Sequence, residues 1–462
     1  MSLLTNQPLQ KLNIFSLSGI QMRTFHISWL TFFVCFFGWF GLAPLMPTIR
    51  ADLGLSKAQV GNTIIAAVSA TIFARLIIGK LCDAWGPRKT YTALLIVGAF
   101  PVMLVGLAQN YTQFLLFRLA IGVIGASFVI TQFHTSVMFG DKVKGTANAV
   151  SGGWGNLGAG VTNMVMPIIF AVIVGFGYTS SQAWRYAMIF PGILLLIMAY
   201  AYFKYTKDTP QGNYDEINYQ KKVATKTDWS ILADWRVWSL SMAYAVCFGM
   251  EITFDGVAAL HFTDTFSLSQ GSAGFWAGIF GFMNLFARAI GGIAADKVNT
   301  KYGMRGKGIL LAVLLVLEGI GIILFSYAGS LEMAIISMLG FALFLKMANG
   351  TTYAITPFIN EKNVGMVSGI VGAGGNVGGM LFGFLFKSET ITYVEAFNYI
   401  GYIVIAVAGI VLLTRFKASG FRASGFRASG NEPLGSELSG NEPLGSGLSG
   451  NEPRAAVTEL IT

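Results

Sequence analysis

Apolar runs long enough to cross a bilayer recur along nearly the whole chain, and this recurrence restricts the fold more than any other feature. A helix needs about 20 apolar residues to span the hydrocarbon core. Such runs lie at 25–48, 58–81, 90–108, 112–138, 146–174, 185–204, 236–260, 271–295, 308–328, 331–357, 364–386 and 394–414. Backbone N–H and C=O groups in lipid must bond within the protein, which only helices and closed barrels allow, and runs of this length fit helices. The expected fold is an all-α polytopic membrane protein with twelve transmembrane helices. Composition agrees, because only 11% of the residues are charged, against about 25% in soluble proteins.

Net charge is +9, but the cations fall in short loops, so they report topology rather than nucleic-acid binding. Arg88 and Lys89, Lys142 and Lys144, Lys204 to Lys226, Lys297 to Lys307 and the tail after Arg415 share one side. The other side carries chiefly Arg50, Lys57, Arg185 and Lys387. The positive-inside rule then puts both termini in the cytoplasm of a cell whose plasma (inner) membrane the chain spans. Residues 1–24 lack the apolar core and cleavage site of a removable signal. Cys35, Cys82 and Cys247 have no disulfide or zinc spacing and read as helix-packing residues. No nucleophile–base pair, metal cluster, phosphate loop or cofactor motif is apparent, so neither an enzyme nor a cofactor is expected.

The one long polar connection, residues 205–234, divides the chain into six-helix halves at 25–204 and 235–414. The halves repeat one another. Ile72-Phe73-Ala74-Arg75-Leu76-Ile77-Ile78-Gly79 leads to Asp83, and Leu285-Phe286-Ala287-Arg288-Ala289-Ile290-Gly291-Gly292 leads to Asp296. Gly152-Gly-Trp-Gly-Asn156-Leu-Gly158 and Gly372-Ala-Gly-Gly-Asn376-Val-Gly378 form a second pair. Parallel six-helix repeats with a site between them at mid-membrane are the layout of major facilitator transporters. The tail, 415–462, repeats Phe-Arg-Ala-Ser-Gly and Asn-Glu-Pro units, is too poor in apolar residues to fold, and reads as a disordered extension.

A charge at mid-membrane costs about 2.5–3.5 kcal/mol even on permissive scales, so Arg75 and Arg288 mark a function. The planar fork of arginine matches a flat oxyanion and stays charged without a partner. A structural salt bridge is the competing reading, with Glu251, Asp255 and Glu318 as the carboxylates well inside the apolar runs. The glycines three apart at 152, 155 and 158 give one helix face bare enough for close packing. Asn156 and Asn376 place amides in that seam, to meet either an oxyanion or a neighbouring carbonyl.

Gly79-Lys-Leu-Cys-Asp83-Ala-Trp-Gly86-Pro-Arg88-Lys89 matches the loop signature of the major facilitator superfamily. Gly79, Asp83, Gly86 and Arg88 are accordingly assigned to gating, with Asp83 meeting helix N-termini and the loop arginine. More specifically, Ala149 to Gly158 and Gly369 to Gly378 resemble the paired signatures of the nitrate/nitrite porter family. Phe25-His-Ile-Ser-Trp29, Ala43-Pro-Leu-Met-Pro47, Ala183 to Gly192, Asp208-Thr-Pro-Gln-Gly-Asn213 and Phe248-Gly-Met-Glu-Ile-Thr resemble its plant-type branch. That resemblance implies a secondary transporter of nitrate and nitrite working as a monomer by alternating access. It implies substrate contacts from Arg75, Arg288, Phe128, Asn156, Tyr244 and Phe248, with Asn376 as the repeat of Asn156.

Proton symport is the expected coupling, ahead of nitrate/nitrite exchange. An anion entering against an interior-negative potential needs a co-transported proton or exchange for another anion. Glu251 and Asp255, one turn apart next to Phe248, are candidates for carrying the proton, or else pore-lining groups bonded to neighbouring helices. Arg118 either assists proton movement or anchors helices, and His134 reads as structural. Lys346 departs from the uncharged residue expected of the family, and pairing with Glu318 would neutralise it. A nitrate/nitrite exchanger, a nitrate sensor on a transporter scaffold and a facilitator of another small organic anion are the alternatives.

Overall fold

Short polar motifs set where each helix begins. Ser56 with Gln59, Thr179 with Gln182 and Thr392 with Glu395 close reciprocal capping boxes, satisfying N–H groups that a helix start leaves bare. Gly54, at φ 61, supplies the left-handed stop before the second crossing. Pro87 opens the third crossing directly behind Gly86, at φ 84.

The computed structural model describes residues 7–140, 143–217, 229–360 and 364–417. The predicted disorder of the tail, Lys142, and the linker lysines from Lys221 onward lie outside those residues. The helices are α1 (Ile20–Phe40), α2 (Met46–Leu53), α3 (Lys57–Trp85), α4 (Pro87–Leu104), α5 (Tyr111–Ile121), α6 (Ser127–Met138), α7 (Lys144–Gly175), α8 (Ser180–Ala187) and α9 (Ile189–Tyr205). The second half supplies α10 (Trp235–Phe266), α11 (Gln270–Phe282), α12 (Ala287–Ser326), α13 (Leu331–Ile355), α14 (Val364–Lys387) and α15 (Tyr393–Leu413).

Among the described residues, 11 helical stretches are long and apolar enough to cross a membrane. The eighth, Gln270–Ser326, has 57 residues, about twice what one crossing requires. It breaks at Gly303, φ 61 and ψ −163, and so is long enough for two of the twelve expected crossings. The first helix starts at Ile20, earlier than the apolar run at 25, because residues 20–24 add a further polar turn. A difference of larger consequence concerns the repeated arginines. Arg75 lies inside the unbroken α3, whereas Arg288 follows a 3-10 turn at Met283–Leu285 and sits in the first turn of α12.

The two halves meet along glycine seams, α3 against α14 and α7 against α11. A Cβ on Gly160 would lie 2.7 Å from the Gly281 Cα, so the backbones touch as small residues in lipid permit. Within the second half, a Cβ on Gly378 would fall 1.9 Å from the Ala245 carbonyl oxygen, whereas one on Gly79 would meet nothing within 4 Å. Gly378→Val is therefore expected to abolish recovery of folded, monodisperse protein in detergent, while Gly79→Ala purifies normally.

Polar ties between the halves lie at the end opposite the basic loops and at mid-depth. Arg50 forks onto Asp264 at 2.7 and 2.6 Å, and Thr48 donates to Gln270 at 2.6 Å. The Ala58 N–H reaches Glu389 at 3.1 Å, and Lys57 donates to the Ile391 carbonyl. At the basic end, no hydrogen bond joins described residues of the two halves. There Arg88 does not meet Asp83, contrary to expectation. Its Nε donates to the Phe203 carbonyl at 2.8 Å and its backbone N–H to Asp208 at 2.8 Å, while Asp83 has no bonded partner among the described residues. A Cβ on Gly86 would strike the Asp208 carboxylate. Burial pushes the Asp208 carboxyl above its ordinary pKa, offset in part by bonds from the Arg88 and Tyr214 N–H groups. The start of the linker therefore folds back onto the loop at Gly86–Arg88, a contact outside the loop signature itself.

Candidate functional site

Each repeated arginine reaches across the seam to the glycine–asparagine stretch of the other half. Arg75 Nη1 donates to the Gly372 carbonyl at 3.1 Å. With the Asn156 amide turned so that its oxygen faces the guanidinium, that oxygen accepts from Arg288 Nη1 at 3.1 Å and Nη2 at 3.2 Å. The arginines come to ordinary contact distance of the motif glycines. A Cβ on Gly152 would lie 3.8 Å from Arg288 Nη1, and one on Gly372 3.9 Å from Arg75 Nη1.

Aromatic rings wall the space between them. Arg75 sits over the Phe128 ring at 5.4 Å and Arg288 over Phe248 at 5.9 Å. Tyr244 and Phe248 stack at 4.9 Å, inclined by 3°. Tyr353, absent from the expected site, stands edge-on to Tyr244 at 5.0 Å and to Phe128 at 6.4 Å. The structure thus brings Arg75, Arg288, Phe128, Asn156, Tyr244 and Phe248 together. Asn376 takes the blander of its two readings. Its Nδ2 donates at 3.3 Å to the Gly372 carbonyl in its own helix, the same oxygen that receives Arg75.

The arginines differ in their partners. Arg288 pairs with Glu251 at 3.3 Å, so the salt-bridge reading holds for it alongside the Asn156 contact. Among the described residues Arg75 has no carboxylate partner, and its Nε and Nη2 are buried without any acceptor, whereas only the Nε of Arg288 is. Unmet charged donors in a dry site are costly unless a ligand supplies the acceptor.

Glu251 is enclosed by four donors. Asn284 at 2.6 Å and Lys346 at 3.2 Å reach Oε1, while Asn349 at 2.6 Å and Arg288 at 3.3 Å reach Oε2. The expected pairing of Lys346 with Glu318 is therefore overturned. Lys346 turns to Glu251 and lies 4.2 Å over the Phe280 ring, and both Glu318 oxygens are buried without partners. The second-half helix packing brings α13 against α10, which sequence spacing does not reveal. Asp255 behaves differently from Glu251, with Oδ1 unpartnered and its backbone carbonyl accepting from Asn163 of the first half at 3.4 Å. Arg118 lies apart from this cluster, donating to the Trp39 carbonyl at 3.3 Å and tying α5 to α1. His134 bonds through both ring nitrogens, to the Tyr202 hydroxyl at 2.5 Å and the Lys207 carbonyl at 2.7 Å, consistent with a structural role.

A signal for the missed residues was present. Lys346, Asn349 and Tyr353 recur at the three- and four-residue steps that share a helix face, so the one cation of that helix pointed to its neighbours. Among the described residues, no His, Cys, Asp and Glu group has metal-site geometry. The arrangement places one guanidinium from each half against a connected set of aromatic rings, chemistry suited to a small flat anion.

Comparison with known proteins gives the same direction. Residues 28–383 match the Major Facilitator Superfamily. The chain is 37% identical over 412 residues to the "High affinity nitrate transporter 2.5" of Arabidopsis thaliana, covering 88% of this chain and 82% of that one. It is 30% identical to the "Nitrate/nitrite transporter NrtP" of a Picosynechococcus strain, covering 78% and 84% of the two chains. Among solved structures, the inward-open xylose transporter XylE from E. coli superposes with a TM-score of 0.64 at 12% identity, over 87% of this chain and 98% of that one. At that identity the likeness is one of fold.

Proposed function

Because the chain belongs to the major facilitator superfamily, in the branch of the high-affinity nitrate transporters, we propose that it carries nitrate, and nitrite with it, into the cell by alternating access. The observation that carries this reading is the crossed pair of arginines, one from each half, with the donors of Arg75 unmet between aromatic walls. Nitrate is flat, monovalent and an acceptor at every oxygen. Two opposed planar guanidiniums can each donate to one of its oxygens, and the rings above and below exclude tetrahedral sulfate and phosphate by shape.

The halves 25–204 and 235–414 rock about this site, joined by the linker 205–234, as a monomer in the plasma membrane with both termini cytoplasmic. The ties at the end away from the basic loops hold the external side closed. Moving an anion inward costs about 2.3 kcal/mol per 100 mV, and proton symport supplies it. Of the two carboxylates on α10, Glu251 is occupied as the counter-ion of Arg288 and Lys346. Asp255, with a free oxygen beside the seam, is the group placed to take the proton.

Purified protein in liposomes separates symport from exchange. An inward proton gradient without internal anion is expected to drive nitrate uptake, and uptake only when nitrite is loaded inside would show an exchanger instead. Asp255→Asn should lose gradient-driven uptake roughly tenfold or more while keeping nitrate counterflow, since counterflow needs no net proton movement. Equal loss of both would remove Asp255 from the coupling step.

A further inference from the structure

At each end of the site an aromatic residue and the arginine of the other half lie near the motif glycine. In the first half, the ring of Phe128 packs against the bare face of Gly152, with its Cε2 3.6 Å from where a Cβ would stand, and Arg288 reaches the same point. In the second half, the hydroxyl of Tyr353 lies 3.2 Å from the corresponding point on Gly372, and Arg75 reaches that one. Gly152 and Gly372 are equivalent positions of the repeated motif. Tyr353 thus lies at Gly372 as Phe128 lies at Gly152, an aromatic residue beside the motif glycine and the arginine of the opposite half, although the repeat aligns Phe128 with Ala348 and Tyr353 with Phe133.

The hydroxyl stands at the end of the site where acceptors are lacking. Arg288 has Glu251 and Asn156, whereas Arg75 has one carbonyl and two buried nitrogens without partners. We propose that the Tyr353 hydroxyl donates a hydrogen bond directly to the transported anion beside Arg75, and that it favours an anion with a third oxygen. Two guanidiniums account for two oxygens of either ion. Nitrate presents a third oxygen to a third donor where nitrite presents only its more distant and weaker nitrogen lone pair, so that donor favours nitrate. Tyr353 is then a substrate-contacting residue that sets preference between the two ions. This rests on the reading of the site as one for nitrate and nitrite.

The test is Tyr353→Phe, which keeps the ring and removes only the oxygen, assayed by counterflow of nitrate and of nitrite in proteoliposomes alongside the wild-type protein. A hydrogen bond to a charged group accounts for roughly a tenfold change or more. The expected result is a nitrate KM raised roughly tenfold, a nitrite KM within about twofold of wild type, and unchanged maximal rates and melting temperature. Unchanged KM for both ions, or an equal rise for both, overturns the proposal and leaves the nitrate site standing. A lowered melting temperature with loss of both activities also overturns it, since the hydroxyl would then serve packing. Wild-type protein that carries neither ion overturns the site itself and this proposal with it.

Discussion

Arg75→Lys is expected to lower nitrate uptake by about two orders of magnitude while leaving the protein folded. The reasoning starts from what Arg75 lacks. With no carboxylate partner and two buried donors unmet, it holds little of the structure together, so its replacement spares stability. Lysine keeps the charge but not the planar fork, and its ammonium is a more strongly hydrated point charge. Losing a bidentate contact to a desolvated anion costs about 3 kcal/mol, which is roughly a hundredfold in binding. Arg288→Lys should reduce transport as strongly, but it also loosens Glu251 and the Asn156 contact, so melting temperature should fall in that variant and not in the other. Initial uptake rates in proteoliposomes and thermal unfolding in detergent measure both. Normal uptake by Arg75→Lys would remove the clamp from the mechanism.

The contrast between these arginines was not legible in the sequence, where Leu-Phe-Ala-Arg and Ile-Phe-Ala-Arg look interchangeable. The crossings were legible, because lipid demands about 20 apolar residues from each and leaves few alternatives. The repeats, the arginines and the Gly-Asn seams were legible for a related reason, since charges, amides and bare glycines are conspicuous against an apolar background. Partners were not. Which helix faces α10 at the depth of Glu251 depends on rotation and tilt set by packing, and so Lys346 was matched to the wrong carboxylate. Arg88 failed in the same way, as its acceptor Asp208 belongs to the linker rather than to the loop signature. Tyr353 was hidden by being one aromatic residue among many, in a half of the repeat where no motif named it.

The second large effect should come from Glu251→Gln. Each oxygen of Glu251 accepts from one asparagine and one cation. An amide at that position must turn its NH2 toward one of those pairs, placing donor against donor and leaving Lys346 and Arg288 without a counter-charge. Removing one member of a buried ion pair costs about 3–5 kcal/mol because the remaining charge stays buried and unpaired, enough to lower the melting temperature markedly and to suppress transport. Lys346→Met in the same chain removes the surplus cation and fills its place beside the Phe280 ring with an apolar side chain of similar length. Replacing both partners of such a pair is often close to neutral. The double variant should therefore be more stable than Glu251→Gln alone, by about 2 kcal/mol or more of coupling between the two sites. Thermal unfolding of the two single variants and the double variant gives that coupling directly. Additive losses would mean that Glu251 and Lys346 act independently, and that the counter-charge of Arg288 is held in place by the asparagines alone.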